Sequence, residues 1–435
     1  MKRPQRLLLI LTEFPPSFGG MQTHAVHLCR YLHRHGYHVE VATYRGDETR
    51  EFPFPVHRCL SRIGFRENLR RLEALVRAIR PDLLYSSTIF YGRLSHSTGI
   101  PMIARSVGND VLRPWIAWPF RWLSRTLSTP WFEDYLYRRF RKLDWPEPIE
   151  LLLLDSRLAE LTESLRHIAH VLANSDYTAR LLQQLPAASV DVLPGGVDAR
   201  RFYPSRDTRD ELRLPRNEWL LMTACRLVPK KGIDLLMRAL TKLPGTRLLI
   251  VGDGRQMPKC VALAQELGIA GRVTFTGRIP HEDLQRYYWA ADQFVLASRE
   301  HLDVVTRLRD VETMGRVLCE AHAAGVPVIA SRSGGIPSIV DDGRNGLLFE
   351  EDNLDALIHS IERLRGDRDL SRSLVHEGFR DAAERWDWSV ICRAHERSFQ
   401  ETLRAELPAP WVPSGGRDSV EQFQAAARNT KKLHR

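Results

Sequence analysis

The segment Glu312-Thr-Met-Gly-Arg-Val-Leu-Cys-Glu320, continuing as Ala-His-Ala-Ala-Gly325-Val-Pro-Val-Ile-Ala330, decides the architecture of the second half of the chain. Seven residues separate the two glutamates. The first ends a polar loop, and the second lies in a short helix that Gly325 terminates. The apolar run up to Ala330 then predicts a buried strand. Helices of this size alternating with buried strands are typical of a parallel sheet that is covered on both faces.

The space between these two carboxylates could itself bind a ligand. A helix begins there, and its first backbone amides have no partner within the helix, so they suit an anionic group. The carboxylates at either side could hold hydroxyl groups at two points. Together they fit the hydroxyls and the diphosphate of a sugar nucleotide. The alternative is an ordinary helix with one acidic residue on its exposed face and another just before its start.

The size and composition of the chain predict a globular protein of two domains. It has 435 residues, 43% of them apolar and 27% charged, and this length suits two domains of roughly 200 residues each. The apolar run Leu7–Leu11 is too short for the core of a signal peptide and predicts a strand. No run approaches the roughly 20 apolar residues that span a bilayer. The six cysteines show no metal-ligand spacing, so we expect a cytoplasmic, reduced protein with neither metal nor cofactor.

The charge of the chain predicts a negatively charged partner. Its net charge is +10 and its isoelectric point is about 9.5. Nucleic acid, anionic lipid and a phosphorylated substrate all have the required sign, and the location of the charge along the chain discriminates between them.

Alternating strand and helix patterns divide the chain into two α/β domains. We place the first at 1–199 and the second at 200–385, joined by a connector rich in glycine and proline. A helix at 386–406 is expected to pack back on the first domain, and 407–435 is expected to be a flexible tail. Strands are predicted at 7–11, 39–43, 82–86, 101–106, 169–174, 220–224, 247–251, 273–276, 293–297, 326–330 and 346–349, and helices at 69–79, 177–185, 231–242, 256–267, 281–291, 316–324 and 353–366.

Two cations follow the first strand of the second domain. Arg226 lies at the strand end and Lys231 at the predicted start of the next helix, where ligands collect in parallel α/β sheets. There they could neutralise a diphosphate, the alternative being two solvated surface cations. Gly252, after the next strand, permits close approach to a ligand or simply makes a turn. Arg278, after the third, could lie at the edge of a nucleobase.

These segments, in this order and spacing, resemble the family 4 retaining glycosyltransferases. The resemblance runs from Gly19-Gly20 to Phe349 and is most specific from Arg226 onward. It implies an α/β protein of the GT-B fold, in which two Rossmann-like doubly wound domains face each other across a cleft. It further implies that the second domain holds most of the donor nucleotide, that the anomeric configuration is retained, and that no metal ion is needed.

The resemblance also implies a role for each matching residue. Glu320 would accept hydrogen bonds from ribose hydroxyls, and Glu312 would hold hydroxyls of the transferred sugar. Arg226 and Lys231 would stabilise the charge that develops on the departing diphosphate. The leaving phosphate itself would take the proton of the acceptor. The backbone amides that would face the diphosphate belong to Gly315, Arg316, Val317 and Leu318, with Gly19 and Gly20 closing over it.

Several positions depart from the family pattern. The family often shows His-Gly-x-Asp at the end of a first-domain strand, whereas this chain has Val107-Gly-Asn-Asp110. Asp110 is assigned to the acceptor, and the group that replaces the imidazole is left open. Where the family usually has Glu-Gly-Phe-Gly, this chain has Glu312-Thr-Met-Gly315. An extra stretch, 300–310, precedes this motif. These departures leave the sugar specificity undetermined.

Residues 111–148 interrupt the α/β pattern with tryptophans beside basic residues. They could form a structured subdomain whose tryptophans pack inward, a surface that docks on an anionic membrane to reach a lipid-linked acceptor, or a stacking surface for nucleic acid. No nucleic-acid-binding module is recognisable, so we expect no nucleic-acid partner. The residues concerned are Trp115, Trp118, Trp122, Trp131, Trp145, Arg113, Arg121, Arg125, Arg138, Arg139, Arg141 and Lys142.

The resemblance, together with the residues that carry it, implies a retaining, metal-independent hexosyltransferase. It would move a sugar from a UDP- or GDP-sugar to a glycan or lipid-linked acceptor, in the synthesis of a cell-surface polysaccharide, lipopolysaccharide or glycolipid at the cytosolic face of the membrane. A nucleotide-sugar epimerase of the same fold is one alternative. A non-catalytic basic protein that binds membrane or nucleic acid is another. The presence of Arg226, Lys231, Glu312 and Glu320 together argues against the last.

Overall fold

A computed structural model describes residues 5–15, 19–46, 51–114, 118, 120–121, 123–140, 147–204, 208–302 and 308–405. The predicted tail at 407–435 therefore lies outside the described residues, as do Trp115, Trp122 and Trp145. The contacts between residues divide the chain into two compact units. The first unit comprises Met1–Leu193, Leu302–Arg309 and Cys392–Arg435, and the second comprises Pro194–His301 and Asp310–Ile391.

The first unit is built on a seven-stranded parallel sheet. Its strands are β1 (Arg6–Ile10), β2 (His38–Tyr44), β3 (Val56–Leu60), β4 (Leu83–Ser86), β5 (Met102–Ser106), β6 (His170–Ala173) and β7 (Val190–Val192). Their order is β3-β2-β1-β4-β5-β6-β7, with every pair parallel. The reversal of strand order beside β1 is the doubly wound pattern that the sequence predicts.

Eight helices connect or cover these strands within the described residues. They are α1 (Gly20–Arg34), α2 (Phe65–Ile79), α3 (Arg93–Thr98), α4 (Asn109–Leu112), α5 (Ser124–Leu127), α6 (Pro130–Phe140), α7 (Glu147–Leu165) and α8 (Asp176–Gln183). The basic, tryptophan-bearing segment thus begins within α4, includes α5 and α6, and ends just inside α7. None of the helices in the described part of the chain is long and apolar enough to cross a membrane.

The second unit repeats this architecture with six parallel strands. They are β8 (Trp219–Ala224), β9 (Thr246–Val251), β10 (Val273–Gly277), β11 (Gln293–Leu296), β14 (Val328–Ser331) and β15 (Leu347–Phe349), while β12 (His301–Leu302) and β13 (Arg309–Asp310) form a separate two-stranded sheet. The order is β10-β9-β8-β11-β14-β15. Its helices are α9 (Ala199–Phe202), α10 (Ile233–Thr241), α11 (Met257–Glu266), α12 (Leu284–Ala290), α13 (Arg316–Ala323), α14 (Leu354–Gly366), α15 (Arg368–Glu384) and α16 (Trp388–Arg404), the last of which continues into the first unit.

The six-stranded sheet is buried on both faces. Leu220 and Met222 of β8 belong to one apolar cluster, whereas Leu221 between them belongs to the other. Successive side chains of a strand point to opposite faces, and a parallel sheet needs an apolar layer on each. The continuous apolar runs of the second half of the sequence have this origin.

The last helix completes the first unit from the far end of the chain. From Cys392 onward α16 belongs to that unit. The carboxylate of Glu396 accepts a hydrogen bond from the hydroxyl of Tyr31 on α1 at 2.8 Å. Phe399 is fully buried, and its ring centroid lies 5.4 Å from that of Tyr85 on β4.

The predicted fold class, with two doubly wound Rossmann-like domains, is confirmed. The local differences have physical causes. The helix predicted from 231 begins at Ile233, because Gly232 adopts φ +61° and separates it from a 3₁₀ turn at Pro229–Lys231. Lys231 therefore ends that turn instead of starting a helix. The edge strand β3 was not predicted, because its sequence, Val-His-Arg-Cys-Leu, lacks an apolar run.

Candidate active site

A buried ion pair lies beyond the carboxyl end of β8 in the second unit. Lys231 Nζ donates a short hydrogen bond to Glu312 Oε2. The two side chains are only 12% and 15% exposed. Because a buried charge is stable only with a partner, these two predicted site residues neutralise each other within the chain.

The surroundings keep this pair ionised. Burial acts to raise the pKa of Glu312, but Lys231, Lys230 and a hydrogen bond from the Gly315 amide together bring it below its ordinary value. Burial likewise acts to lower the pKa of Lys231, but the charge of Glu312 raises it above its ordinary value. Each group favours the charged form of the other, so a lysine cation and a glutamate anion are present at neutral pH.

Two further cations flank the pair. Lys230 Nζ donates to Asp310 Oδ1 at 2.8 Å and to the Val311 carbonyl at 2.9 Å, which ties the loop before α13 to the turn after β8. Arg226 is exposed and lies close enough to Lys231 for its charge to act on that ammonium group. Arg226 and Lys231 are predicted from the sequence, whereas the structural role of Lys230 is not, because a Lys-Lys dipeptide does not reveal it.

Glycines fix the backbone around the pair. Gly232 has φ +61°, and a Cβ there would lie 1.9 Å from the Ala297 carbonyl oxygen. Gly334 has φ +50°, and a Cβ there would lie 2.3 Å from the carbonyl oxygen of Glu312. Gly335 donates its amide to the same oxygen at 2.8 Å. Only glycine tolerates such approaches, so Gly334 and Gly335 position the backbone of Glu312.

Gly252 and Arg278, predicted to bind the donor, follow β9 and β10. A Cβ at Gly252, where φ is +129°, would lie 2.1 Å from the Cys225 carbonyl oxygen. Close packing of neighbouring strand-end loops therefore accounts for this glycine. The side chain of Arg278 is exposed. For both residues a contact with a ligand stays a prediction.

Helix α13 presents the backbone amides that were predicted to face a diphosphate. Gly315 precedes the helix with φ +83°, and its amide binds the Glu312 carboxylate. The Leu318 amide donates to the Gly315 carbonyl at 2.8 Å, and the Leu318 side chain is fully buried. Among the described residues, the amides of Arg316 and Val317 have no backbone partner. These two are the amides of this turn that an anion could use without breaking an existing bond.

The second glutamate, Glu320, is 2% exposed and is surrounded by polar side chains. Tyr288 donates its hydroxyl to Glu320 Oε2 at 3.1 Å. Arg316 Nη2 lies 3.3 Å, and His281 Nε2 3.8 Å, from Oε1. Burial raises the pKa of the Tyr288 hydroxyl well above its ordinary value, and Glu320 acts in the same direction. The tyrosine therefore stays protonated and can donate to the carboxylate.

Burial and a neighbouring arginine together keep His281 neutral. Arg201 Nη2 donates to His281 Nδ1 at 2.5 Å. Burial lowers the pKa of His281, with Arg316 and Arg201 acting in the same direction and Glu320 opposing them. The imidazole is therefore neutral at pH 7, and since Nδ1 accepts, its proton is on Nε2, facing Glu320. Tyr288, His281 and Arg201 are not predicted from the sequence, because they are distant from the acidic pair along the chain.

The two predicted glycines of the first unit lie at the start of α1. Gly20 is its first residue, and Gly19 precedes it with φ 164°, an extended conformation open to any residue. A Cβ at Gly19 would lie 2.6 Å from Gln22 Oε1. The end of the flexible Gln22 side chain, and no special backbone angle, is what a side chain at position 19 would meet.

Asp110 lines a cavity of about 230 Å³ in the first unit. Ser106 Oγ donates to its Oδ1 at 2.6 Å. Burial raises the pKa of Asp110 to about 6, although hydrogen bonds from Ser106 and from backbone amides oppose the shift. Val107 also lines the cavity, together with Glu13 and Arg113. The cavity thus combines carboxylates, a guanidinium group and an apolar wall where the family often has histidine.

Two doubly wound parallel α/β units of this kind are the architecture of the GT-B class of proteins. The family comparison is more specific. The model of Glycosyltransferase Family 4 matches residues 18–201, and that of Glycosyl transferases group 1 matches residues 204–381. The chain belongs to the family 4 glycosyltransferases.

Characterised relatives cover part of the chain. It is 37% identical over 210 residues to the GDP-mannose-dependent alpha-(1-6)-phosphatidylinositol monomannoside mannosyltransferase of Mycolicibacterium smegmatis, covering 47% of this chain and 54% of that protein. It is 31% identical over 288 residues to the D-inositol 3-phosphate glycosyltransferase of Segniliparus rotundus, covering 61% and 58%. The matches thus span little more than half the length of these relatives.

Solved structures share the fold over nearly the whole chain. Sucrose-phosphate synthase of Thermosynechococcus elongatus superposes with a TM-score of 0.73 at 22% identity, covering 92% of this chain and 100% of that one. HepE of Anabaena, solved in complex with UDP, superposes with a TM-score of 0.69 at 19% identity, covering 91% and 100%. At these identities the likeness establishes the fold.

Proposed function

We propose that this protein is a retaining glycosyltransferase that moves a sugar from a nucleotide-sugar donor to a glycan or lipid-linked acceptor. The observation that carries the proposal is the pair of partnered glutamates around α13, of which Glu320 is buried and Glu312 is 15% exposed. Glu312 is bound to Lys231 beyond β8, and Glu320 is held by Tyr288 and Arg316. An isolated acidic helix would not need both carboxylates partnered by donors.

In the proposed reaction the bond between the anomeric carbon and the donor phosphate breaks, and a bond from that carbon to the acceptor oxygen forms on the same face of the sugar. The proton of the acceptor hydroxyl passes to the leaving phosphate. Negative charge grows on the diphosphate meanwhile, and Lys231 with Arg226 stabilises it more in the transition state than in the ground state. The amides of Arg316 and Val317 add two hydrogen bonds. The proposal requires no metal ion, cofactor or protein nucleophile.

The names of the relatives suggest the substrates to test first. GDP-mannose is the donor that the mannosyltransferase name prints, and inositol is common to the acceptors that both names print. UDP-sugars form the second set, because HepE was solved with UDP. We propose an acceptor of a glycolipid pathway, used at the cytosolic face of the membrane, and we assign its hydroxyl groups to the cavity that contains Asp110.

Calorimetric binding and slow hydrolysis over GDP-, UDP-, ADP- and TDP-sugars test this proposal. One donor should bind and turn over, and Glu320→Gln should weaken its binding about 10- to 100-fold, because a charged acceptor of hydrogen bonds is lost. Glu266→Gln removes the same charge from an exposed position of the second unit and should behave as wild type. Failure of every donor to bind would contradict the proposal.

Retention of the anomeric configuration and independence from metal ions are tested by two separate measurements. Proton NMR of the product should show the anomeric configuration of the donor, and inversion would refute the proposed mechanism. A chelator should leave the rate unchanged. A rate that falls with the chelator and recovers with a divalent cation would refute the metal-independent mechanism.

A further inference from the structure

A cavity at the start of α2 concentrates positive charge in the first unit. Its volume is about 330 Å³, within the range of roughly 300 to 1,000 Å³ that is common for ligand sites. Arg66 and Arg70 line it from α2, and Arg121 and Arg125 line it from the segment around α5. Glu67 is the acidic member of the lining. The four guanidinium groups and the one carboxylate of the lining sum to a net charge of +3, and Glu67 already pairs with Arg70 at 3.0 Å and with Arg71 at 3.3 Å.

Specific contacts hold the two walls of this cavity together. Trp118 forms a bridge with Gly64, just before α2. Ser124 Oγ accepts a hydrogen bond from the Glu67 amide at 3.1 Å. A Cβ at Gly64 would lie 1.7 Å from Ser128 Oγ, so the turn of α5 packs directly on the backbone there. The fold therefore sets the relative position of the arginine-bearing segments.

The positive charges of the cavity are only partly compensated. Arg66 pairs with Glu160 at 2.6 Å but shares that carboxylate with Arg93 at 2.7 Å. Burial lowers the pKa of Arg66, and although Glu160 opposes this effect, Arg93 and Arg121 add to it. Arg121 and Arg125 are exposed and form no ion pair with other residues in the described part of the chain. An anion in the cavity would offset this repulsion.

Large apolar side chains are exposed in the same segment. Leu123, between Arg121 and Arg125, is 51% exposed, Trp131 is 76% exposed and Tyr135 is 60% exposed. Leu123 also has φ +58°, a conformation that is unfavourable for a residue with a side chain. Exposed leucine and aromatic residues beside arginines suit the boundary between lipid headgroups and acyl chains.

We propose that this cavity binds the phosphate of an anionic phospholipid headgroup, while Leu123, Trp131 and Tyr135 enter the membrane surface beside it. Guanidinium groups bind phosphate through paired hydrogen bonds. The exposed apolar side chains favour a lipid over a soluble phosphate as the source of that group. The inference rests on the proposed function in one respect: a lipid-linked acceptor gives the first unit a reason to be held at a membrane.

Vesicle sedimentation of the full chain tests the cavity without donor or acceptor, so its result is independent of whether the protein transfers sugar. The vesicles are phosphatidylcholine with and without phosphatidylglycerol. A basic residue near an anionic surface contributes about fivefold to partitioning, so Arg121→Gln/Arg125→Gln should weaken binding about 30-fold. Arg34→Gln/Arg77→Gln removes the same charge from exposed positions of the same unit and should weaken binding less than about threefold.

Leu123→Gly provides a second arm that a folding defect cannot mimic. Glycine is well suited to φ +58°, so the thermal midpoint of this variant should equal or exceed that of wild type. Its binding to anionic vesicles should nevertheless fall severalfold, because an inserting side chain is lost.

Three results would overturn the proposal. Equal losses in the two double arginine variants would show that general surface charge is responsible for binding. Tight binding of inorganic phosphate or glycerol 3-phosphate, lost in Arg121→Gln/Arg125→Gln without any vesicle binding by wild type, would assign the cavity to a soluble phosphate. Preferential binding of a single-stranded oligonucleotide, lost in that same variant, would assign the surface to nucleic acid.

Discussion

At the scale of single residues, the candidate active site is organised by opposite charges that bind each other. The sequence predicts Lys231 as a ligand of the diphosphate and Glu312 as a ligand of the sugar, whereas the structure joins them by a hydrogen bond. Glu320 and Arg316 repeat the pattern one helical turn later. A donor that engages these groups must offer each a partner at least as good, since a buried charge without a partner costs several kcal/mol.

Asp110 yields a prediction about pH. Its pKa is raised to about 6 in the folded chain, against about 3.9 for an unperturbed aspartate, so between these values the folded state binds more protons than the unfolded state. The contribution of Asp110 to stability must then fall as pH rises from 4 to 6. Asp110→Asn should remove that loss and gain up to about 3 kcal/mol over wild type at pH 7.5. Urea unfolding at pH 4, 6 and 7.5 measures the difference.

The matched variant is Asp369→Asn, which removes a charge from a side chain that is 94% exposed. It should keep the pH dependence of wild type. If Asp110 serves the acceptor as a carboxylate, the transfer rate of wild type should also rise with a midpoint near pH 6 and that of Asp110→Asn should not. A stability difference for Asp110→Asn that does not change between pH 4 and 7.5 would contradict the assigned protonation.

At the scale of elements, the sequence predicts what periodicity and apolar runs determine. The strands of the second sheet are buried on both faces, so their apolar runs mark them within one or two residues. Strand β3 is not predicted, because four of its five residues are only partly buried and give no apolar run. The first residue of α10 is not predicted correctly, because its position depends on the close approach of Gly232 to the Ala297 carbonyl. These two residues are far apart in sequence.

The same reasoning limits what could be predicted of the site. The acidic pair is visible because both members lie in one local motif, Glu312 to Glu320. Tyr288 and His281 reach Glu320 from α12 and from the loop before it, and Gly334 reaches Glu312 from a loop after β14. Only the pairing of β11 with β14 and β8 brings these segments together. No local pattern encodes that proximity.

Gly64, the residue just before α2, determines how closely α5 packs on the backbone there. In Gly64→Ala the new methyl group would meet Ser128 Oγ and, at 2.7 Å, the backbone oxygen of Ser124. Overpacking of this kind typically costs about 1–3 kcal/mol. We expect a lower thermal midpoint and faster tryptic cleavage after Arg121 and Arg125.

Gly271→Ala is the matched control, because a Cβ at Gly271 would have no heavy atom within 4 Å. It should retain the midpoint and the cleavage rate of wild type. Equal behaviour of the two variants would show that the contact between α5 and Gly64 does not hold the segment in place. It would also weaken the inference that the arginine-lined cavity has a fixed shape.

In the whole molecule, the two units differ in how far apart in the sequence their parts lie. Among the residues that the structure describes, the two clusters that form the core of the second unit draw only on those from Val197 to Trp386. The first unit instead takes part of its structure from the other end of the chain, after Cys392. The packing around Tyr85 of β4 is therefore complete only when α16 is present.

This difference predicts that the two units behave differently as fragments. A 194–391 fragment keeps both of its apolar clusters, so it should melt cooperatively by circular dichroism. A 1–193 fragment exposes Tyr85, which packs on Phe399 in the intact chain, and leaves Tyr31 without Glu396. It should therefore melt broadly, since burying an aromatic side chain contributes about 1.5–3 kcal/mol.

A peptide of residues 388–405 added in trans should restore a cooperative transition, and Phe399→Ala in that peptide should abolish the rescue. A 1–193 fragment that melts cooperatively alone would show that α16 is dispensable to the first unit.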